Sequence, residues 1–167
     1  MKTLNTRIGN LTYFDEIDKG FMITDTMQPG VIDERMRELV NEINSIPTLM
    51  TMNCCQGGSE PFTSLEVKER GYNGTHCPIT YVDFYAIDHD YVTANLLIAF
   101  VVAEIGNDER VNGRMTYEED GYVEDNEFFR NGDIMLRFRI EGESPDVIDE
   151  ITSAVRKFKE QAGYSEG

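Results

Sequence analysis

Residues 31–58 leave the chain few ways to fold. Ile32, Met36, Leu39, Val40, Ile43 and Ile46 recur at intervals of three and four, which stacks them on one stripe of a helix, while Glu34, Arg35, Arg37, Glu38 and Glu42 face away. Pro47 disfavours helical geometry at Ile46, so the helix is predicted to end near Asn44 and Ser45. Residues 48–53 then read as a strand that runs into Cys54-Cys55-Gln56-Gly57-Gly58. Nowhere else in the chain are small, polarisable and glycine residues so concentrated, which makes this loop the candidate site.

The rest of the chain supplies a sheet for that helix to pack on. Residues 11–14 and 20–24 read as short extended segments around the acidic turn Asp15-Glu16-Ile17-Asp18, and residues 62–67 as a short strand in an otherwise irregular stretch. Residues 79–87 are rich in aromatic and β-branched side chains, with Val82, Phe84 and Ala86 on one face. Asp88 or Asp90 is suited to cap a helix from Tyr91 to about Ile105, ended by Gly106, and the apolar run from Leu96 places that helix in the core. Asp120-Gly121 predicts a hairpin turn between residues 114–117 and 122–124. Ile134, Leu136, Phe138 and Ile140 alternate with Met135, Arg137 and Arg139, the clearest strand of the chain. Ser144-Pro145-Asp146 opens a final helix that carries Ile148, Ile151, Val155 and Phe158 on one stripe before Gly163. The expected architecture is α/β, a single mostly antiparallel or mixed sheet with three main helices, and residues 1–167 form one domain.

Charge narrows the partners. Thirty-one acidic against 15 basic residues leave a formal charge of −16, which repels phosphate backbones and argues against non-specific nucleic-acid binding. Solubility accounts for such a surface; the alternative is that it presents carboxylates to a basic protein partner. No apolar run reaches the eighteen or more residues of a membrane span. Three cysteines, two of them adjacent, suit reduced thiols, and residues 1–4 lead into no apolar signal stretch, so the cytoplasm is the expected compartment.

Cys55-Gln56-Gly57-Gly58-Ser59 is readable as a loop whose amides point at an anionic or nucleotide-like ligand, or as a tight turn with two buried thiols. A nucleophilic Cys55 would need His76 or His89 to lower its pKa. Cys54, Cys55, His76, Cys77 and His89 lack the two-to-four-residue spacing of zinc ligands, so no metal site is expected. The acids Glu118, Glu119, Asp120, Glu124, Asp125 and Glu127 lack calcium-loop spacing and read as a solvated hairpin. Arg137 and Arg139 either hold an anion on the sheet or pair with that hairpin.

Ile32-Asp33, Leu39-Val40, Ile43-Asn44-Ser45, Pro47, Thr51, Cys55 and Gly57 resemble the N-terminal signature of the wybutosine-synthesis tRNA methyltransferase family. In that family a similar helix leads to Thr-Thr-Ser-Ser-Cys-Ser-Gly-Arg. Here the eight residues are Thr51-Met52-Asn53-Cys54-Cys55-Gln56-Gly57-Gly58, of which three match. Asn53 and Cys54 replace the serine pair, Gly58 replaces the arginine, and Gly106-Asn107-Asp108 stands where the family has a further glycine and serine motif. The resemblance implies the fold and, for activity, methyl transfer from S-adenosylmethionine to a tRNA base. The resulting expectation is a binding protein for a nucleotide or nucleoside-like molecule, contacted by Thr51, Asn53, Cys54, Cys55, Gln56, Gly57, Gly58 and Ser59. Binding without turnover would sequester or sense the ligand, by analogy with phage proteins that counter nucleotide signalling; the alternatives are a methyltransferase and an acidic interaction or inhibitor protein that mimics nucleic acid.

Overall fold

The computed structural model describes residues 2–6, 9–71, 74–106, 109–124 and 127–164. Asn73, Asn107, Asp108 and Asp125 lie outside the described residues. In chain order the elements are β1 (Lys2–Thr6), β2 (Gly9–Tyr13), α1 (Glu16–Thr26), a 3-10 turn (Glu34–Met36), α2 (Arg37–Asn44), β3 (Leu49–Cys55), α3 (Ser64–Arg70), β4 (Thr80–Ala86), α4 (Tyr91–Ile105), β5 (Val111–Glu124), β6 (Glu127–Gly142), a second 3-10 turn (Pro145–Val147) and α5 (Ile148–Ala162).

The six strands form one mixed sheet in the order β1-β2-β6-β4-β3, with β5 on the other edge of β6. Only the short β2–β6 pairing is parallel. The alternation along β6 does what its pattern demands: Phe138 and Ile140 are fully buried and sit opposite Phe84 and Val82 of β4. Over this face α2, α4 and α5 bury Leu39, Ile43, Leu97, Val101, Ile151 and Val155, each worth about 1.5–3 kcal/mol. The other face is half polar. There Asp83, only 1% exposed, lies directly opposite Arg139, which grips it through Nε to Oδ1 at 2.6 Å and NH2 to Oδ2 at 2.8 Å. Arg137 stands 3.7 Å from the same carboxylate and 2.5 Å from Glu118 of β5. The two arginines therefore pair within the sheet, one of them with the hairpin acid whose side chain is described.

Helix ends follow local chemistry. Asp90 accepts from the Thr93 amide at 3.1 Å and from the Thr48 hydroxyl at 2.6 Å, tying the start of α4 to the start of β3. Gly106 and Gly163 close α4 and α5 in left-handed geometry.

Four expectations need correction. Residues 20–24 are helical, not extended: Asp15 accepts from the amides of Ile17 and Asp18 while Asp18 accepts from that of Asp15, a reciprocal cap that starts α1 where a turn was expected. Residues 64–70 form α3 instead of a strand, in keeping with their leucine, glutamates, lysine and arginine. Asp120-Gly121 is a bulge inside β5, where the register shifts between Glu119 and Gly121, and the hairpin turns beyond Glu124. Finally, α4 is buried along one side only, leaving Val92 70% and Leu96 55% exposed. With α1 and α3 the α-helices among the described residues number five. None among the described residues is long and apolar enough to cross a membrane.

Helices α2 and α5 are joined by Glu42, which accepts from Lys159 at 2.7 Å and Arg156 at 2.8 Å. Burial raises its carboxyl pKa, but these two cations outweigh burial and hold it below the usual value. Glu42→Gln is expected to cost about 1–2 kcal/mol at pH 7. Because the folded pKa is the lower one, this contribution is present above the unfolded carboxyl pKa of about 4.3 and disappears as pH falls through the folded value, so urea curves of variant and wild type converge in acid. Arg139→Met leaves the buried Asp83 without its two hydrogen bonds and with only the longer approach of Arg137, an expected loss of up to about 3–5 kcal/mol; the double variant Asp83→Leu, Arg139→Met recovers most of it.

Candidate functional site

The loop after β3 is shaped by a close backbone approach. Gly57 has φ +77°, and a Cβ there would lie 2.6 Å from the Thr80 nitrogen and 2.7 Å from the Ile79 carbonyl carbon. The loop therefore lies directly on the start of β4, and the Thr80 hydroxyl donates to the Gln56 carbonyl at 2.6 Å. Its four successive amides all have partners inside the protein: Gln56 donates to Asp33 Oδ2 at 2.7 Å, Gly57 to Cys55 Sγ at 3.4 Å, Gly58 to the Pro78 carbonyl at 3.2 Å and Ser59 to the Cys77 carbonyl at 3.4 Å. The loop uses its donors to hold itself, and no nest of outward-facing amides is left for an anion.

The remaining candidates divide by face. Thr51 is buried, and its amide and hydroxyl both donate to Asn44 Oδ1, at 2.8 and 3.0 Å, fixing the end of α2 to β3. Asn53 follows a bulge and is exposed, lining a cavity of about 290 Å³ with Asp25, Thr26, Val31, Ile32, Met52 and Cys54. Cys54 also borders a second cavity of about 190 Å³, where Cys55, Phe62, His76, Cys77 and Tyr81 meet Asp33. Gly58 and Ser59 are exposed and Gln56 is half-buried; none of the three lines either cavity.

The second cavity gathers the chemistry. Ligating atoms of Asp33, Cys55 and His76 all lie within 4.8 Å of one another, and all three residues are buried. His76 Nδ1 is 3.3 Å from Asp33 Oδ2. A strap holds His76 in place: its amide donates to the Glu60 carbonyl at 2.8 Å, Pro61 bridges to Thr75, and the Phe62 ring lies 4.6 Å from the imidazole. Cys77 Sγ lies 2.8 Å from Cys55 Sγ and 3.0 Å from the Ile79 carbonyl. Burial, reinforced by the charge on Asp33, pushes the Cys54 thiol up to about 12. Burial and the contact with Cys55 push Cys77 up to about 11. Both stay protonated at neutral pH.

His89 is elsewhere. Its Nδ1 contacts the Tyr91 hydroxyl at 2.9 Å and its ring packs on Tyr13, beyond the far end of β4, roughly 20 Å along that strand from Cys55. His76 is thus the imidazole that meets Cys55. Asp33, Phe62 and Tyr81 were not among the sequence candidates. Asp33 stands where a helix cap is expected, but its side chain makes no capping bond and reaches the Gln56 amide instead. A carboxylate before a helix is so usual that this diversion leaves no mark in the sequence.

The geometry at Gly57 makes a side chain there a test of folding. Gly57→Ala is expected to cost more than about 2 kcal/mol, because strain at positive φ adds to a clash with backbone. Gly71→Ala, also at positive φ but with no atom within 4 Å of the added Cβ, should cost only about 1 kcal/mol. Equal losses in thermal or urea unfolding would count against the close approach.

No protein-family model matches the chain, and no curated protein matches it. Among solved structures, that of PH1069 protein from Pyrococcus horikoshii is similar at 14% identity over 89% of each chain, with a TM-score of 0.36.

Proposed function

We propose that this chain is a binding protein for a small nucleoside-like molecule, held in the cleft formed by the two cavities on either side of Cys54. The observation that carries the reading is the make-up of the walls. Val31, Ile32 and Cys54 are common to both cavities, whose combined size suits a small organic ligand. Phe62 and Tyr81 offer aromatic faces, Asp25 and Asp33 offer carboxylates, and no lysine or arginine is among the described lining residues. Arg139 lies over the Tyr81 ring at 4.0 Å, but Asp83 already neutralises it. Such a cleft favours a neutral or cationic heterocycle over a phosphorylated one, and the net charge of −16 acts in the same direction.

S-adenosylmethionine, an adenosine carrying a sulfonium cation, fits the same walls, so methyl transfer is the second reading. Of the hairpin acids, Glu118 is engaged within the sheet by Arg137 and by the Tyr85 hydroxyl at 3.4 Å. Free thiols throughout suit a cytoplasmic setting.

Thermal shift of the metal-free protein with nucleosides, S-adenosylmethionine and mono- and cyclic nucleotides tests this. A ligand at about 100 times its Kd adds about 2.7 kcal/mol, a rise of roughly 5–10 °C. Stabilisation by a nucleoside or by S-adenosylmethionine, with phosphorylated analogues inert, is expected. Greater stabilisation by the phosphorylated forms, or none by any member of the panel, overturns the reading.

A further inference from the structure

We infer that Asp33, Cys55 and His76 form a binding site for one divalent transition-metal ion of the zinc type, with a fourth coordination position open to the cavity beside Cys77. The inference does not depend on the nucleoside reading: the donor set stands on its own geometry.

The three donors come from three separate parts of the fold and converge on one buried point. Asp33 lies ahead of α2, Cys55 ends β3, and His76 belongs to the strap before β4. Metal bonds of about 2.0 Å to nitrogen and oxygen and 2.3 Å to sulfur place tetrahedral ligands about 3.3–3.8 Å apart. The 3.3 Å between His76 Nδ1 and Asp33 Oδ2 already meets that spacing and is long for an N–H···O hydrogen bond. The whole set lies within 4.8 Å, and the pairs involving Cys55 belong about 3.5 Å apart on the ion, so the set needs to close by about 1.3 Å at most.

Charge and outer contacts agree with a dication. A carboxylate and one thiolate carry two negative charges, so with a neutral imidazole the occupied site is neutral, which a buried site requires. The Gln56 amide orients Asp33 at 2.7 Å. Cys55 Sγ accepts from the Gly57 amide at 3.4 Å and has the Cys77 thiol at 2.8 Å, the outer-shell donors that a metal-bound thiolate receives. Cys77 can remain a thiol in this arrangement, since adding a second thiolate would leave the site with net negative charge. The mixture of sulfur, nitrogen and oxygen donors selects zinc-like ions over magnesium or calcium. Three protein ligands and one open position are the pattern of sites where the metal meets an exchangeable molecule.

Cobalt(II) titration of the reduced full chain is the test, read by the thiolate-to-cobalt charge-transfer band and by displacement with zinc. One equivalent should bind, with proton release as Cys55 ionises. Cys55→Ser should abolish the band, and Asp33→Asn should weaken binding by more than the 10- to 100-fold that loss of an outer-shell partner costs. Asp33→Asn keeps an acceptor for the Gln56 amide, and circular dichroism of each metal-free variant confirms that it is folded. Cys77→Ser and Cys54→Ser should keep the band. Absence of the band at stoichiometric cobalt, its survival in both Cys55→Ser and Asp33→Asn, or its loss in Cys77→Ser would each overturn the three-ligand site. The titration contains no nucleoside and the thermal shift above contains no metal, so either reading can fail without the other.

Discussion

The buried carboxylate of Asp83 is the constraint on which the sheet depends. At 1% exposure it has almost no water, so its charge has to be met inside the protein, and Arg139 meets it with two hydrogen bonds from the directly opposite position on β6. Sliding β6 by one residue would turn Arg139 to the helix face and put Phe138 or Ile140 over a bare carboxylate. The pair is thus less a source of net stability than a lock on register, since two well-packed apolar residues would serve stability as well. From that register follow the stacking of Phe84 on Phe138, the alignment of β5 along β6, and the apolar face on which α2, α4 and α5 lie.

Fixing β4 also fixes the candidate site. Tyr81 is paired with Cys55, and Thr80 lies under Gly57, so the first two residues of β4 set both the end of β3 and the path of the loop that leaves it. The segment from Glu60 to Pro78 must then return within a short span, and its contacts with residues 58–60 bring His76 and Cys77 down beside Cys55. The site is a consequence of the close approach between the loop after β3 and the start of β4. Its glycines serve that connection and its amides are engaged in it, while the side chains that converge there carry the chemistry.

What the sequence disclosed was whatever depended on a period or on a punctuating residue. The α2 stripe ending before Pro47, the alternation of β6, an aspartate cap on α4 and the onset at Pro145 of the helical segment that becomes α5 were all legible because one local rule governs each. The rest turned on competition between rules. Gly20 and the run Phe21-Met22-Ile23-Thr24 favour an extended chain, yet the reciprocal cap at Asp15 and Asp18 nucleates a helix, as a two-residue device overrides weak propensities. Asp120-Gly121 has turn chemistry, but the same freedom at glycine serves a bulge, and pairing over a longer strand prevails. In the site, Cys54, Cys55 and Gly57 were visible as an unusual cluster, whereas Asp33 became visible only once its distance from His76 and Gln56 was known.

At Gly58, outside the cavity walls, the backbone limits what side chain the loop can carry. In the resembling tRNA methyltransferase signature an arginine occupies this place and would supply a cation for an anionic group. Here residue 58 has φ +84°, and a Cβ would stand 3.0 Å from the Pro145 ring, so any side chain meets both a disfavoured conformation and the start of the C-terminal helix. An arginine at this position would strain the backbone at positive φ and press on the Pro145 ring, which would have to give by a few tenths of an ångström. With no cation among the described residues of the cavity walls and the amides of residues 56–59 turned inward, a phosphate entering the cleft would give up its hydration without compensation. The same carboxylates that exclude it, Asp25 and Asp33, are the groups that would attract a sulfonium, a protonated base or a metal ion. On the proposed reading, selectivity in this cleft would be set by repulsion as much as by fit.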